Sequence, residues 1–169
     1  MPHSPCKAPG LARQTIDVRV HDVHGCHLRK STVAALKAIV QRVTEASVEV
    51  EGETVAAIGP GLLVLLGVAR GDSSDEADRM AAKLLALRIF DSRSVTDAGG
   101  EILCVSQFTL LGETRKGNRP SFAQAAPAED AQPLYERVVR ALGAKGGRFG
   151  AHMRVSLVND GPVTLALES

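Results

Sequence analysis

Residues 61–68 read Gly61-Leu62-Leu63-Val64-Leu65-Leu66-Gly67-Val68. An apolar run of strand length with no polar residue in either alternate set is the pattern of a strand buried on both faces. Its flanks predict what covers it. Upstream, Leu36–Val43 is apolar and β-branched, and Ala46–Glu51 alternates apolar and polar with period two. Thr54–Ile58 resumes after Glu51-Gly52-Glu53, which reads as a tight turn joining hairpin partners. Downstream, Ser73 and Glu76 form a capping box, with Asp75 and Glu76 suited to the positive end of a helix. Ala77, Met80, Ala81, Leu84 and Leu85 recur at helical spacing, so a helix is expected to run to about Arg88.

The remainder continues the alternation. Glu101–Phe108 reads as a strand. Ala128–Leu142 reads as an amphipathic helix with Leu134, Val138, Val139 and Leu142 on one face and Gly143 as its stop. Met153, Val155 and Leu157 alternate as a strand, as do Val163, Leu165 and Leu167, with Asn159-Asp160-Gly161-Pro162 expected as the hairpin connection between them. Six or seven strands and two main helices make a single compact α+β domain with antiparallel or mixed strands.

Composition bounds the function. The chain has 169 residues, 44% of them apolar and 23% charged, which excludes disorder as the state of the whole. The longest apolar stretch, Ile58–Ala69, is broken by Gly59, Pro60, Gly61 and Gly67 and is far shorter than the roughly 20 residues of a membrane span. The N-terminus has no apolar core of a secretory signal. Cys6, Cys26 and Cys104 are odd in number and far apart, which is no disulfide framework, so a cytoplasmic setting is expected.

Net charge is +1, so nucleic-acid contact must come from a local patch. With four Phe, one Tyr and no Trp, a base-stacking platform of several exposed aromatics is not expected. Residues 1–35 differ from the rest. They carry Pro2, Pro5, Pro9 and Gly10, four of the five histidines, and weak periodicity. They read as a disordered extension, or as the product of an upstream start with Val33 as an alternative, leaving 36–169 as the functional domain. His21, His24, Cys26 and His27 match no closed zinc spacing.

The domain is poor in catalytic side chains. His152 is its one histidine, placed on an alternating strand, and Cys104 lies in the apolar run Ile102-Leu103-Cys104-Val105. A Ser-His-Asp hydrolase or a zinc hydrolase lacks its parts here. An enzyme built on this chain must lean on backbone N–H groups and on the substrate's own groups. Two segments break the structural pattern. Ser106-Gln107-Phe108-Thr109-Leu110 puts hydroxyl and amide groups where a buried strand would continue with Val or Ile. Asn159-Asp160-Gly161-Pro162-Val163-Thr164 carries a Gly-Pro bond, of the kind that can be cis at modest cost.

These two segments together resemble the signature motifs of the D-aminoacyl-tRNA deacylase (D-tyrosyl-tRNA deacylase) family. Ile39-Val40-Gln41-Arg42-Val43, the 61–68 run, Arg88-Ile89-Phe90, Arg119-Pro120-Ser121-Phe122 and Phe149-Gly150-Ala151 agree, so the resemblance covers residues 36–169. It implies a barrel-like α+β domain that forms a homodimer with active sites at the interface. It implies hydrolysis of the ester joining a D-amino acid, or mischarged glycine, to the terminal adenosine of tRNA, with no metal or organic cofactor.

It also implies residue roles. Gly161 and Pro162 would form a cis-peptide motif that reaches into the partner's pocket and excludes an L side chain. Arg42 would brace that loop, beside Asn159. Gln107 and the backbone at Phe108, flanked by Ser106, would hold the adenosine and the ester. Phe149, Gly150 and Ala151 would line the adenosine pocket. Thr109 matches a residue proposed as nucleophile, but no base stands ready to activate it, so assistance by the ribose 2′-hydroxyl is preferred. Lys37, Arg115, Lys116, Arg119, Arg148 and Arg154 are candidate phosphate contacts.

Within the domain the chain departs from the family at His152, where an acidic residue is often found, and more substantially before Gly99. Only Asp91–Ala98 separates Phe90 from Gly99-Gly100, and the family's Gly-Lys-Met-Asn stretch is absent. A tRNA- or nucleic-acid-binding module that kept the fold without the activity is therefore the competing expectation. A relative that clears L-alanine is disfavoured by Phe108 and Val163.

Overall fold

The computed structural model describes residues 35–115 and 117–169. The expectations for the N-terminal extension and for His21, His24, Cys26 and His27 fall outside these residues.

Strand β1 (Lys37–Val50) is the hub of the sheet. Its first half pairs antiparallel with β3 (Gly61–Gly67), and its second half with β2 (Glu53–Ile58). The two expected segments at 36–43 and 46–51 are therefore one long strand. The β1–β2 hairpin turns through Glu51 and Gly52, whose φ angles of 53° and 86° are the left-handed pair that a two-residue turn needs. β3 runs parallel to β4 (Glu101–Ser106), and β4 parallel to the two-residue β5 (Lys145–Gly146). β6 (Arg154–Glu168) covers the other side of β1, giving a mixed six-stranded sheet that is nearly closed into a barrel.

Two α-helices complete the domain. α1 (Ser74–Ala86) starts with the capping box foreseen: Ser73 accepts the Asp75 N–H, and Glu76 accepts the Ser73 N–H. It stops at Leu87, just short of the expected Arg88. α2 (Ala128–Leu142) ends at Gly143, left-handed at φ 60°, as its sequence dictates. Its buried stripe is Ala131, Tyr135, Val138 and Leu142, while Leu134 and Val139 are only partly covered.

β3 separates two cores. Leu62, Val64 and Leu66 face the helices together with Val40, Met80, Leu84, Cys104 and Val138. Leu63 faces a second cluster with Val43, Val48, Val50, Ile58, Leu103 and Val105. A strand packed on both sides explains why its sequence is continuously apolar.

Two expectations need correction. Asn159-Asp160-Gly161-Pro162 is not a hairpin connection. Both flanks pair antiparallel with β1 in one direction, so β6 is a single strand interrupted by a bulge. The strand expected over 101–108 ends at Ser106, and Phe108–Leu111 turns into a 3-10 helix.

The shortened 91–98 segment is ordered around the core. Phe90 and Arg93 exchange backbone hydrogen bonds at 3.2 and 3.0 Å across a turn with positive φ at Asp91 and Ser92, and Val95 is fully buried.

Strand β3 tolerates no side chain at its start. A Cβ on Gly61 would lie 1.9 Å from the Glu101 carbonyl oxygen, whereas one on Gly59 would meet only the Glu101 carboxylate at 3.9 Å. Gly61→Ala is expected to lower stability by about 1–3 kcal/mol in urea denaturation. Gly59→Ala should stay within about 0.5 kcal/mol of the parent.

Candidate functional site

The site begins where β4 ends. Ser106 pairs with Leu66, and the Gln107 N–H donates to the Leu66 carbonyl at 2.7 Å, the last tie to β3. The chain then leaves the sheet. Leu110 N–H bonds the Gln107 carbonyl at 3.2 Å and Gly112 N–H bonds the Thr109 carbonyl at 2.9 Å, closing the 3-10 turn. Gly67 makes room for it: a Cβ there would sit 2.5 Å from Leu111 Cδ2 and 2.9 Å from the Gln107 carbonyl oxygen. The amides of Phe108 and Thr109, at the start of this turn, have no backbone acceptor among the described residues.

The Gln107 side-chain amide donates to the Thr109 hydroxyl. An amide is not a base in either orientation, so nothing here prepares Thr109 to give up its proton. Phe108 is 57% exposed and meets Phe122 edge-on, with centroids 5.1 Å apart.

Behind Gln107 lies a cavity of about 210 Å³. It is lined by Ser106, Gln107 and Phe108 from the end of β4, by Leu66 and Val68 from the end of β3, by Ala126 and, on α2, Ala128, Ala131 and Tyr135, and by Phe149 and Gly150. The lining is mostly apolar with a few polar groups at one edge, the usual make-up of a small-molecule pocket. The Tyr135 hydroxyl donates to the Cys104 carbonyl at 2.8 Å, and burial raises its pKa, so it stays protonated. Its ring lies 5.7 Å from that of Phe149. The Cys104 thiol is fully buried and pushed up to about 12, which makes it inert as a nucleophile. His152 is exposed and lines no part of this cavity.

The second motif is held by β1. From Gln41 to Val43 is a step of two residues, but their partners, Thr164 and Asn159, are five apart, so the four residues 160–163 stand opposite Arg42, three more than regular pairing would place there. Arg42 donates to the Ile89 carbonyl at 2.6 Å and to the Asp160 carbonyl at 3.2 Å, and pairs with the Asp160 carboxylate at 2.9 Å. Its guanidinium carbon lies 6.0 Å from the Phe90 ring centre. Gln41 donates to Asn159 Oδ1 and Thr164 Oγ1 at 3.2 and 3.3 Å. The Gly161–Pro162 peptide is cis, and both residues are exposed. A Cβ on Gly161 would lie 2.9 Å from Asn159 Nδ2.

The structure brings some expected residues together and keeps others apart. Ser106, Gln107, Phe108, Phe149 and Gly150 share the cavity. Thr109 touches it only through Gln107, and Ala151 packs instead against the second core. Gly161 and Pro162 do not line the cavity. Arg42, beside them, pairs with Leu62, whereas Gln107 is anchored at Leu66. The two motifs are thus ~13 Å apart along β3 at the usual strand rise.

Sequence reasoning missed Tyr135 and Gln41. Both were detectable: Tyr135 sits four residues after Ala131 on the buried stripe, and Gln41 adjoins Arg42 in the strand that cradles the bulge. Among the described residues no three His, Cys, Asp or Glu side chains gather as a metal site.

A family model described as D-Tyr-tRNA(Tyr) deacylase matches residues 39–168. The chain is 52% identical over 145 residues to a D-aminoacyl-tRNA deacylase of Thermosipho africanus, covering 79% of this chain and 97% of that one. It is 54% identical over 144 residues to a D-aminoacyl-tRNA deacylase of Pelobacter propionicus, covering 79% and 99%. Among solved structures, a c-Myc DNA unwinding element binding protein superposes with TM-score 0.74 at 47% identity, covering 79% and 98%. A structure described as a probable eukaryotic D-amino acid tRNA deacylase shares the fold, with TM-score 0.71 at 18% identity over 80% and 100%.

Arg42 is the tie between the core and the bulge. Arg42→Ala is expected to cost at least about 1.5 kcal/mol, the scale of a hydrogen bond to a charged group. It should also speed amide exchange across residues 159–164, as read by hydrogen–deuterium exchange mass spectrometry. Arg42→Lys, which keeps the charge but not the forked geometry, should fall between.

Proposed function

The chain belongs to the D-Tyr-tRNA(Tyr) deacylase family, and on that premise we propose that the cavity behind Gln107 takes the terminal adenosine of a D-aminoacyl- or glycyl-tRNA and presents its ester at the 3-10 turn. The protein is a hydrolase, a D-aminoacyl-tRNA deacylase. One observation carries the finer reading. The cavity is lined by three aromatic side chains, by aliphatic ones, and by the Gln107 amide and Ser106 hydroxyl, with no charged or basic side chain. Such a site suits a neutral nucleoside and catalysis by oriented dipoles.

The chemistry follows from those groups. Water adds to the ester carbonyl, the bond from that carbon to the ribose 3′-oxygen breaks, and the products are a free D-amino acid and a 3′-hydroxyl. The Phe108 and Thr109 amides favour the developing oxyanion. The neighbouring ribose 2′-hydroxyl relays the proton, since Thr109 meets an amide rather than a base. Thr109→Ala should then cost far less than the thousandfold loss that follows removal of a catalytic group.

The chiral filter comes from a second copy. With ~13 Å along β3 between the motifs, Gly161 and Pro162 of one protomer do not serve that protomer's own cavity. A homodimer would let the partner's bulge at 160–163 approach the substrate α-carbon with backbone oxygens. Hydrogen fits beside them and an L side chain does not, which is steric rejection rather than attraction. Catalysis without a bound metal or organic cofactor, and action in the cytoplasm, complete the proposal. No helix among the described residues is long and apolar enough to cross a membrane.

A second reading rests on the relative named for binding a DNA unwinding element. In it the fold binds nucleic acid without hydrolysing an ester.

Hydrolysis of D-tyrosyl-, glycyl- and L-tyrosyl-tRNA by the purified protein decides between them. The D- and glycyl esters should be lost and the L-ester spared, while Gly161→Ala/Pro162→Ala should weaken that discrimination. A folded protein that hydrolyses none of the three yet binds tRNA or duplex DNA would establish the second reading.

A further inference from the structure

We propose that an open groove beside the cavity, separated from it by the Tyr135–Phe149 wall, carries the nucleotides preceding the terminal adenosine, with Arg140 and Arg148 binding their phosphates. This rests on the reading that adenosine occupies the cavity.

Continuity is the first argument. The groove, about 690 Å³, shares Tyr135 and Phe149 with the cavity. Three other surface depressions share no residue with it. A strand entering the cavity by its last nucleoside must leave over a rim, and Phe149 is the partition: Gly150 faces the cavity and Arg148 the groove.

Charge is the second. Lys37, Arg42, Arg79, Arg115, Arg137, Lys145 and Arg154 each pair with a carboxylate. Arg140 and Arg148 are exposed and, like Arg70, Lys83, Arg88, Arg93 and Arg119, meet no carboxylate among the described residues; of these seven, Arg140 and Arg148 line the groove. Glu136 is the acid in the same lining, and it accepts the Gln132 amide at 2.8 Å, so two cations face one occupied carboxylate.

The C-terminal end of α2 would oppose an anion, but Gly143 and Ala144 donate their N–H groups to the Arg140 and Val139 carbonyls and quench that end. Gly143 is exposed and Gly147 partly so, which leaves backbone rather than side chain along the groove floor. A guanidinium pair on open backbone suits a phosphodiester chain better than a compact acid.

The test uses a fluorescein-labelled ribo-oligonucleotide ending in CCA, titrated by anisotropy across a salt series. It also uses hydrolysis of D-tyrosyl-tRNA and of D-tyrosyl-adenosine, which has no phosphate. Arg140→Gln/Arg148→Gln should lower affinity for the oligonucleotide about tenfold and flatten the log–log salt slope by about 1.4, at 0.7 per phosphate on a single strand. It should lower kcat/KM for the tRNA ester and leave the adenosine ester unchanged. The Lys double variant should keep most of the slope. An unchanged slope overturns the proposal, as does an equal loss on both esters, which would place the arginines in the cavity or the fold. If the parent protein hydrolyses neither ester, the functional reading fails, and the anisotropy arm still decides the groove.

Discussion

The hydrogen bond from Gln107 N–H to the Leu66 carbonyl is the rung on which the site depends. It is the last tie between β4 and β3, and beyond it the chain turns out of the sheet into the 3-10 helix. The turn lies that close because Gly67 has no side chain to hold the Gln107 carbonyl and Leu111 away. β3 is held in place in turn by apolar clusters packed on both its faces. A doubly buried strand thus places the Gln107 amide at the cavity, beside the Phe108 and Thr109 N–H groups, which have no backbone acceptor among the described residues.

The same strand system positions the second motif by a different device. β1 holds β6 in register on both sides of an insertion and lets residues 160–163 stand out from the ladder. Arg42 and Gln41, neighbours on β1, donate from the sheet into the base of that bulge. The bulge is exposed on its own protomer, so its fine structure is set from below and its tip is left open to whatever approaches. Bulges that re-aim residues in this way are frequent beside active sites.

Much of this was legible in the residues. The continuous apolar run at 61–68, the Ser73–Glu76 box and Gly143 are local signals whose physics needs no tertiary context, and they mark β3, the start of α1 and the end of α2. The continuity of β6 was not legible. Gly-Pro after Asn-Asp is a turn signal by propensity, and only pairing of both flanks with one strand shows that the chain does not reverse. β5 has two residues and no pattern to read. The motifs at 106–110 and 159–164 stood out as polar breaks, but their separation along β3 is a consequence of register, which residue types do not encode. Tyr135 was hidden in a helix face read from its aliphatic members.

The central claim is that one working site is assembled from the cavity of one protomer and the Gly161–Pro162 bulge of another. Its most direct test is complementation. Gln107→Ala and Gly161→Ala/Pro162→Ala proteins, each impaired alone in selective hydrolysis, are unfolded together, refolded as a mixture and assayed on D- and L-tyrosyl-tRNA. If the motifs work across the interface, half the dimers are mixed and each has one intact site, so selective activity returns to about a quarter of the parent's. If both motifs act within one chain, no mixed dimer contains an intact site, and activity no higher than the average of the two variants would contradict the account.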